Sequence, residues 1–338
     1  MKAYRIHEPR GVDGLDVDEL PSPEPGPGEV LIRVRAVSLN YRDLMILKGQ
    51  YARASSLPLP LVPCSDGAGE VTGVGPGVDR FQPGDRVAGC FFSAWPDGPP
   101  TEAAGKSALG GAVDGMLVEE KVLPAEGVVA IPPHLSFEEA ATLPCAALTA
   151  WHALIPSGGL GPGETVLIQG TGGVSLFALQ IARMAGARVI ATSSRDEKLE
   201  RVKGLGASEG INYKTTPEWG AEARKVAGGA GIDHVVEVGG AGTLGQTLKA
   251  VKVGGHVALI GVLSGGGEVD PRPILMKNVR VQGIYVGSRA MFEAMNRAFA
   301  LHAIRPVVDR VFPFDRARDA YAHLESGEHF GKVVIAVG

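Results

Sequence analysis

The sequence predicts an α/β protein in which a doubly wound parallel sheet is inserted into a mostly β domain. Up to about residue 123, short strand patterns alternate with turns. From residue 165 onward, apolar runs of about five residues alternate with helical segments, which is typical of parallel strands buried on both faces. The last apolar segment, Lys332–Val337, is expected to return to the first domain. We therefore expect one domain from residues 1–123 with about 300–338, and a second from residues 124–299.

Composition and charge exclude several classes of protein. The 338 residues are 45% hydrophobic, enough for large cores, and their net charge of −4 lacks the basic footprint of a nucleic-acid-binding protein. The three cysteines, Cys64, Cys90 and Cys145, have neither disulfide-like nor metal-like spacing, which favours a reducing compartment. Met1–His7 has the pattern of a strand rather than a signal peptide, and no apolar run approaches the roughly 20 residues of a membrane span. We expect a cytoplasmic protein.

The first domain is predicted to contain short strands and one helix. Its proline-rich segment Pro21–Gly28 is expected to be a surface loop, because proline cannot continue a helix or a central strand. The predicted elements are strands Met1–His7, Glu29–Ser38, Gly67–Val74 and Met116–Val122, and a helix at Tyr41–Lys48.

The second domain is predicted to alternate strands with helices. Ser136 and Glu139 form a capping-box pattern that opens a helix toward Leu154. The strands predicted after it are Thr165–Gln169, Arg188–Thr192, His234–Val238, His256–Ile260 and Val279–Val286. The helices predicted between these strands are Val174–Ala185, Asp196–Lys203 and Leu244–Val251, and two final helices, Met291–His302 and Phe314–Leu324, precede the last strand of the chain. This alternation indicates a doubly wound sheet.

A glycine-rich turn follows the first of these strands. Its residues are Gly170, Thr171, Gly172, Gly173 and Val174. Gly170 permits the tight turn, Gly172 lets a pyrophosphate approach the backbone, and the next helix offers its N-terminal N–H groups. Ser175 stands where the motif has its third glycine. A glycine turn alone often only turns the chain, but its place between a predicted strand and helix predicts a Rossmann dinucleotide site.

The end of the second strand bears on the choice of dinucleotide. An NAD-binding protein usually has Asp or Glu there, to bind the ribose 2′-OH. Hydroxyl and cationic side chains suit a 2′-phosphate instead, and they are present here as Ser193, Ser194, Arg195 and Lys198. We therefore predict NADPH. NADH remains the alternative, because Asp196 and Glu197 follow directly and the two cations also suit a solvated helix start.

Two further glycines lie where a dinucleotide would run. Gly239 and Gly261 each follow a predicted parallel strand, on the edge where ligands bind in such sheets. We predict that both line the cofactor site. The competing interpretation is that they merely end their strands.

Several short segments together carry a family resemblance that spans essentially the whole chain. They are Ser38–Asp43, Asp66–Val71, Pro83–Val87, Leu148–Trp151, Gly170–Val174 and Gly331–Val334. The chain resembles the medium-chain dehydrogenase/reductase superfamily, in the zinc-free branch with the quinone oxidoreductases. The resemblance implies a GroES-like barrel domain that carries the substrate cleft, beside a Rossmann domain. It also implies a homodimer joined at the edge strand Val279–Val286, whose apolar edge would otherwise stay unpaired.

The resemblance also bears on zinc. Zinc-dependent relatives hold the catalytic metal with Cys, His and Cys, and the matching positions here are Asn40, Ser65 and Cys145. Asn and Ser are poor zinc ligands. The structural-zinc lobe of those relatives needs four clustered cysteines, where this chain has only Cys90. We therefore predict no bound metal at either place.

Without zinc, the resemblance favours acceptors that are easy to reduce, namely quinones and alkenes conjugated to a carbonyl. The catalytic candidates are Asn40, Tyr41 and Asp43, of which Asn40 would donate a hydrogen bond to the substrate oxygen. Asp43 has an equal alternative as a structural partner of the neighbouring helix or of an arginine. By resemblance alone, Thr149 would lie beside the nicotinamide. Val286, Gly287 and Ser288 would hold its carboxamide.

Two other functions remain open. One is a zinc-free alcohol or aldehyde dehydrogenase, whose pH profile would report a protein base. The other is a non-catalytic NADPH-binding sensor, which would bind the cofactor without consuming an acceptor. A fold alone does not decide among these.

Overall fold

The computed structural model describes residues 1–51 and 57–338, and they form two units. One unit is Met1–Leu148 with Val286–Gly338, and the other is Thr149–Tyr285. The expected division after residue 123 and near residue 300 differs from this. Residues 128–130 pair with residues 87–89, and the Asn296 side chain donates to Ala130 O at 2.9 Å. These contacts place residues 124–148 and 286–299 with the first unit.

The first unit begins with strands joined by short turns. Its elements up to Leu148 are β1 (Lys2–Ile6), β2 (Leu15–Glu19), β3 (Glu29–Ser38), α1 (Tyr41–Leu47), β4 (Asp66–Val74), β5 (Arg86–Gly89), α2 (Glu102–Gly105), β6 (Glu120–Pro124), β7 (Val128–Ala130) and α3 (Phe137–Ala140). Helix α4 (Leu148–His152) follows between two π-helical turns, Leu143–Ala147 and Ala153–Ser157.

The second unit alternates strands with helices, and the chain then returns to the first. The elements of the second unit are β8 (Thr165–Gln169), α5 (Gly173–Met184), β9 (Arg188–Ser193), α6 (Asp196–Gly204), β10 (Glu209–Asn212), α7 (Trp219–Val226), β11 (Ile232–Glu237), α8 (Ala241–Ala250), β12 (Val251–Leu259), α9 (Arg272–Met276) and β13 (Arg280–Gly283). Those of the return are α10 (Arg289–Leu301), β14 (Val308–Pro313), α11 (Ala317–Glu325) and β15 (Lys332–Ala336).

The second unit is a Rossmann domain. Its six strands are parallel in the order β10-β9-β8-β11-β12-β13, which is the order of a doubly wound dinucleotide-binding sheet. Leu167, Ile190, Val235 and Val257 are fully buried in its core. This sheet confirms the predicted α/β fold class. The prediction is correct because apolar strands buried on both faces require helices on both sides of the sheet.

Strand β3 is the centre of the first unit's sheet, which has the order β14-β15-β3-β4-β5-β7 with β6 paired to the first half of β3. Ser38, at the end of β3, pairs with Asp66 on β4 and with Val334 on β15. Both pairings are antiparallel, so the end of β3 meets the beginnings of β4 and β15. Asn40, Asp66 and Lys332 are thereby brought together at the same end of these three neighbouring strands.

Several elements differ from their predicted bounds. Strand β6 lies at Glu120–Pro124 instead of Met116–Val122. Strand β13 ends at Gly283 instead of Val286, because Val286 has a φ of 54° and turns the chain. The helix expected from Ser136 toward Leu154 is broken into α3, α4 and the π-helical turns. Its capping box is confirmed, since Ser136 Oγ accepts from Glu139 N–H at 3.2 Å and Glu139 Oε2 accepts from Ser136 N–H at 2.9 Å.

In the described ranges, 1–51 and 57–338, no helix has both the length and the apolar content needed to cross a membrane.

Candidate functional site

Asn40 and Asp43 form the first turn of α1, directly after β3. Asn40 N–H donates to Asp43 Oδ2 at 2.8 Å, and Asp43 N–H donates to Asn40 O at 2.9 Å. Asp43 is fully buried, with Oδ1 3.9 Å from the guanidinium of Arg42. Burial raises the pKa of Asp43 from 3.8 to about 6, against the opposing Arg42 charge and Asn40 N–H. Asp43 thus has the structural role considered for it, and its chemical role stays a prediction.

Lys332 is a buried cation beside Asn40, at the start of β15. Its side chain donates to Leu39 O at 2.7 Å and to Asn40 Oδ1 at 2.6 Å, and Nζ lies 3.8 Å from Asp66 Oδ2. The residue is 3% exposed. Lys332 was not among the residues predicted to form the site, although it lies in one of the segments that carry the resemblance. A lysine that opens an otherwise apolar strand was the available signal.

Asp66 is the buried anion of this group. Its Oδ1 accepts from Ser65 Oγ at 2.8 Å, and its Oδ2 accepts from Cys145 N–H at 3.3 Å. Burial raises the pKa of Asp66, while the Lys332 charge, the Asn40 amide and the Ser65 hydroxyl act in the opposite direction. Buried charges are tolerated when they are paired and hydrogen-bonded, and Asp66 has both kinds of partner. We call Asn40, Asp66 and Lys332 the amide–ammonium cluster.

Tyr41 and Arg42 have different surroundings from Asn40. Tyr41 is 50% exposed, and among the described residues it has no hydrogen bond to the amide–ammonium cluster. Arg42 donates to Leu109 O at 2.9 Å, and its guanidinium lies 4.7 Å from the centroid of the Phe91 ring. Arg42 therefore fastens α1 to the segment that contains Phe91 and Leu109. A role for Tyr41 in the reaction stays a prediction.

The residues at the zinc-ligand positions do not fit zinc. Asn40 and Ser65 are poor ligands, and they leave Cys145 as the only good one. Over the part of the chain that the structure describes, no three His, Cys, Asp or Glu side chains are grouped so as to hold a metal ion. The ammonium of Lys332 already supplies a positive charge at Asn40, and it would repel a metal cation there.

The glycine turn between β8 and α5 leaves open space beside its backbone. Gly170 has a φ of 72°, and a Cβ added at Gly170 or Gly172 would meet no atom within 4 Å. The N-terminus of α5 has no capping side chain. Ser175, in place of the motif's third glycine, donates its hydroxyl to Gln169 O at 2.6 Å. Thr171 is buried and Val174 half-buried in this turn.

The turn after β9 presents the residues considered for the 2′-phosphate. Ser193 is buried and accepts from Arg195 N–H at 3.4 Å, which fixes the turn. Ser194 and Lys198 are half-buried and Arg195 is exposed. Asp196, the acidic alternative for an NAD ribose, accepts from Asn212 Nδ2 at 2.7 Å.

Gly239 and Gly261 are required by packing, whatever they bind. A Cβ at Gly239 would lie 2.2 Å from Thr243 Oγ1, and one at Gly261 would lie 2.0 Å from Val238 O. The buried carboxylate of Glu237 shapes this region and was not predicted from the sequence. Glu237 Oε1 accepts from Gly239 N–H at 2.8 Å, and Oε2 accepts from Gln169 Nε2 at 2.7 Å. Glu237 thus links the end of β8 to the turn that follows β11.

The residues assigned to the nicotinamide fall in two places. Thr149 is 3% exposed on α4. Val286, Gly287 and Ser288 lead into α10 rather than ending an edge strand, and Ser288 caps α10 by accepting from Met291 N–H at 3.3 Å. A Cβ at Gly287 would lie 3.0 Å from the Leu148 side chain. Their contact with a cofactor stays a prediction.

Comparison with known proteins agrees with this architecture. Residues 26–133 match the alcohol dehydrogenase GroES-like domain, and residues 173–300 match the family described as zinc-binding dehydrogenase. A zinc-type alcohol dehydrogenase-like protein of Schizosaccharomyces pombe is 48% identical over 99% of each chain. A crystal structure of an NAD-dependent alcohol dehydrogenase is 38% identical with a TM-score of 0.91, over 100% of each chain.

Two further relatives are named as enzymes that reduce an acceptor or act on quinones. The acryloyl-coenzyme A reductase of Metallosphaera sedula is 32% identical over 95% of this chain and 96% of its own. The quinone oxidoreductase of Rattus norvegicus is 30% identical over 99% of this chain and 97% of its own. A GroES-like domain joined to a Rossmann domain defines a two-domain oxidoreductase of the nicotinamide-dependent class. The chain belongs to the medium-chain dehydrogenase/reductase superfamily.

Proposed function

We propose that this oxidoreductase uses NADPH, without zinc, to reduce a quinone or an alkene conjugated to a carbonyl. The observation that carries the proposal is the amide–ammonium cluster. At the family's metal position it offers hydrogen-bond donors and a fixed positive charge, where a metal would need ligands. The quinone oxidoreductase and acryloyl-coenzyme A reductase named above support this class of acceptor.

The proposed division of labour follows from the residues. Bound NADPH would supply the hydride, which adds to the electron-poor carbon or quinone ring while the cofactor is oxidised to NADP⁺. A proton from solvent completes the reduction. Asn40 would donate from Nδ2 to the acceptor oxygen, where negative charge develops. Asp43 holds the Asn40 backbone in place for that contact, and Tyr41 would flank the acceptor.

The proposed cofactor site combines the two turns of the Rossmann domain. The turn from Gly170 to Val174 would hold the pyrophosphate. Ser193, Ser194, Arg195 and Lys198 would hold the 2′-phosphate, and the bond from Asn212 to Asp196 leaves that carboxylate less available to a ribose. Thr149, Gly239, Gly261 and Val286–Ser288 would line the path to the nicotinamide.

The test is NADPH consumption by metal-stripped protein, followed by absorbance. The acceptors are a quinone, a 2-alkenal and a cyclic enone, with NADH in parallel. We expect turnover with at least one acceptor, faster with NADPH and unchanged by a chelator. Loss of turnover on metal removal would overturn the zinc-free assignment. Preference for NADH would overturn the 2′-phosphate assignment.

An alcohol dehydrogenase is the second candidate, because the structural neighbour described above is named NAD-dependent alcohol dehydrogenase. It predicts oxidation of simple alcohols with NAD⁺ or NADP⁺ and no reduction of quinones or enones. Cofactor binding without turnover on any of these substrates would instead favour the sensor.

A further inference from the structure

We propose that Lys332 is a positioning residue: it fixes and polarises the side-chain amide of Asn40 so that Nδ2–H faces the oxygen of the bound acceptor. This inference rests on the proposed reduction and adds a residue to it. Its basis is the hydrogen bond from the buried Lys332 ammonium to Asn40 Oδ1, at 2.6 Å.

The ammonium determines which way the Asn40 amide points. An ammonium group only donates hydrogen bonds, so the amide oxygen must face it and the NH₂ group must face away. The opposite orientation would set the NH₂ of Asn40 against the NH₃⁺ of Lys332. The backbone on either side is held as well, since Asn40 N–H donates to Asp43 and Leu39 N–H donates to Val333 O at 3.0 Å.

The donor that results is buried and only weakly held. Asn40 Nδ2 is close enough to Asp66 for a side-chain hydrogen bond to lower the pKa of that carboxyl, but within residues 1–51 and 57–338 it has no acceptor at ordinary hydrogen-bonding geometry. Buried donors are nearly always well paired in proteins, so a weakly paired one next to a fixed cation indicates a site where a ligand acceptor can take over the bond. A carbonyl or quinone oxygen has the required chemistry.

The ammonium also strengthens that donor. A positive charge bonded to the amide oxygen draws electron density toward it, which makes the N–H protons more positive. Their interaction is strongest with the oxygen that becomes negative after hydride addition. Asn40 keeps its protons throughout, and the proton that completes the reduction, on the α-carbon of the enolate or on the quinolate oxygen, comes from solvent. The effect therefore falls on the transition state rather than on acceptor binding.

The first experiment needs no turnover. The chain contains four asparagines, Asn40, Asn212, Asn278 and Asn296, so selective ¹⁵N-asparagine labelling gives four side-chain amides. Asn40→Ala assigns the signal of interest. We expect one sharp, displaced pair of Asn40 Hδ2 resonances in the wild type. In Lys332→Met the two resonances should lose that displacement and broaden as the amide samples other χ2 angles. An Asn40 signal unchanged in Lys332→Met overturns the proposal.

The second experiment is a double-mutant cycle on the acceptor that the wild type reduces. Asn40→Ala should lower kcat roughly 100-fold, as loss of one oxyanion donor does. Lys332→Met should lower kcat about 10-fold or more, with the KM for NADPH unchanged, and Lys332→Arg should restore part of the rate. The double variant should be no slower than Asn40→Ala within about twofold. Multiplicative losses would mean that Lys332 acts independently of Asn40.

Folding is controlled with a second variant. Lys332→Met leaves Asp66 buried without its cation, so the pair Lys332→Met with Asp66→Asn removes both charges together. The pair should fold and should still show the altered Asn40 signal. A wild-type signal in the folded pair also overturns the inference. If the wild type reduces no quinone or enone, the proposed function fails, while the NMR experiment still decides whether Lys332 positions Asn40.

Discussion

At the scale of the residue, the choice between NADPH and NADH rests on a few side chains after β9. The acidic residue nearest the expected ribose, Asp196, is hydrogen-bonded to Asn212. Arg195 is the exposed N-cap residue of α6, and its backbone N–H donates to Ser193 Oγ. The guanidinium is thus the group most able to pair with a 2′-phosphate.

Arg195→Ala should therefore weaken NADPH selectively. Loss of a charge-assisted contact worth about 1.5–3 kcal/mol corresponds to a roughly 10- to 100-fold increase in the NADPH Kd. The NADH Kd should stay the same, as measured by quenching of tryptophan fluorescence. Arg201→Ala, on the same helix, is the matched control and should alter neither constant. An equal loss of affinity for both cofactors would mean that Arg195 does not bind the 2′-phosphate.

At the scale of the element, β11 and β12 share a buried histidine pair. His234 Nδ1 and His256 Nδ1 are 3.4 Å apart, His234 Nε2 lies 2.9 Å from Glu164 Oε2, and His256 Nε2 lies 3.3 Å from Ser157 Oγ. Burial lowers the pKa of His256 from 6.5 to about 4, and the charges of Arg280 and His234 act in the same direction. The folded chain therefore keeps His256 neutral at a pH where an unfolded chain protonates it.

This pair predicts a loss of stability in acid. Between pH 6.5 and 4 the unfolded chain takes up a proton at His256 and the folded chain does not, so unfolding becomes easier as pH falls. The stability is fully present above pH 6.5, and the loss is on the order of 3 kcal/mol. Asp43 acts oppositely from pH 6 to 3.8, because its raised pKa stabilises the folded chain as pH falls.

The measurement that isolates His256 is the difference in unfolding free energy between wild type and His256→Asn, from urea titrations at pH 7, 5.5 and 4. We expect that difference to shrink as pH falls. His302→Asn, at an exposed position, is the control and should give a pH-independent difference. A pH-independent difference for His256→Asn as well would contradict the prediction.

Elements with local signals were predictable, and those shaped by distant contacts were not. Strand β8 was predicted to the residue, because Gly170 ends its apolar run. The helix expected toward Leu154 was broken instead, with Pro144 and Pro156 inside its π-helical turns. Strands β10 and β14 were missed, because they are short and have exposed positions that hide a strand pattern.

In the candidate site, too, the residues with a local sequence signal were predicted and those that depend on distant contacts were not. Asn40 and Asp43 are close in sequence, and their motif was recognisable from the residues alone. Lys332 bonds to Asn40 across 292 positions, and only the antiparallel pairing of β15 with β3 brings the two together. No local pattern contains that pairing. The carboxylate of Glu237 was missed for the same reason, since its partner Gln169 lies on another strand.

At the scale of the whole molecule, the unpaired edge of β13 favours a second copy of this chain. In the described sheet β13 pairs only with β12, which leaves its other edge open. Nearby, Leu275 is 78%, Met276 80% and Tyr285 51% exposed. Open edges and exposed apolar side chains invite pairing, so we propose a homodimer through this face.

Replacing Leu275 and Met276 by Asp should therefore release monomers. Light scattering after gel filtration should give twice the mass of one chain for the wild type and the mass of one chain for the double variant. Leu301→Asp, which changes an equally exposed leucine on α10, is the control and should stay dimeric. A wild-type monomer, or a dimer that survives the double change, would rule out this face.

The position of Lys332 has a consequence for the order in which a nascent chain can fold. Thr149–Tyr285 is continuous, so it can become compact while later residues are still being added. The first unit is discontinuous, because β3 needs β15 as its neighbour and β15 is made last. Until that strand arrives, Asn40 has no ammonium to orient its amide. The Rossmann domain can therefore fold on the ribosome well before the amide–ammonium cluster of the first unit is complete.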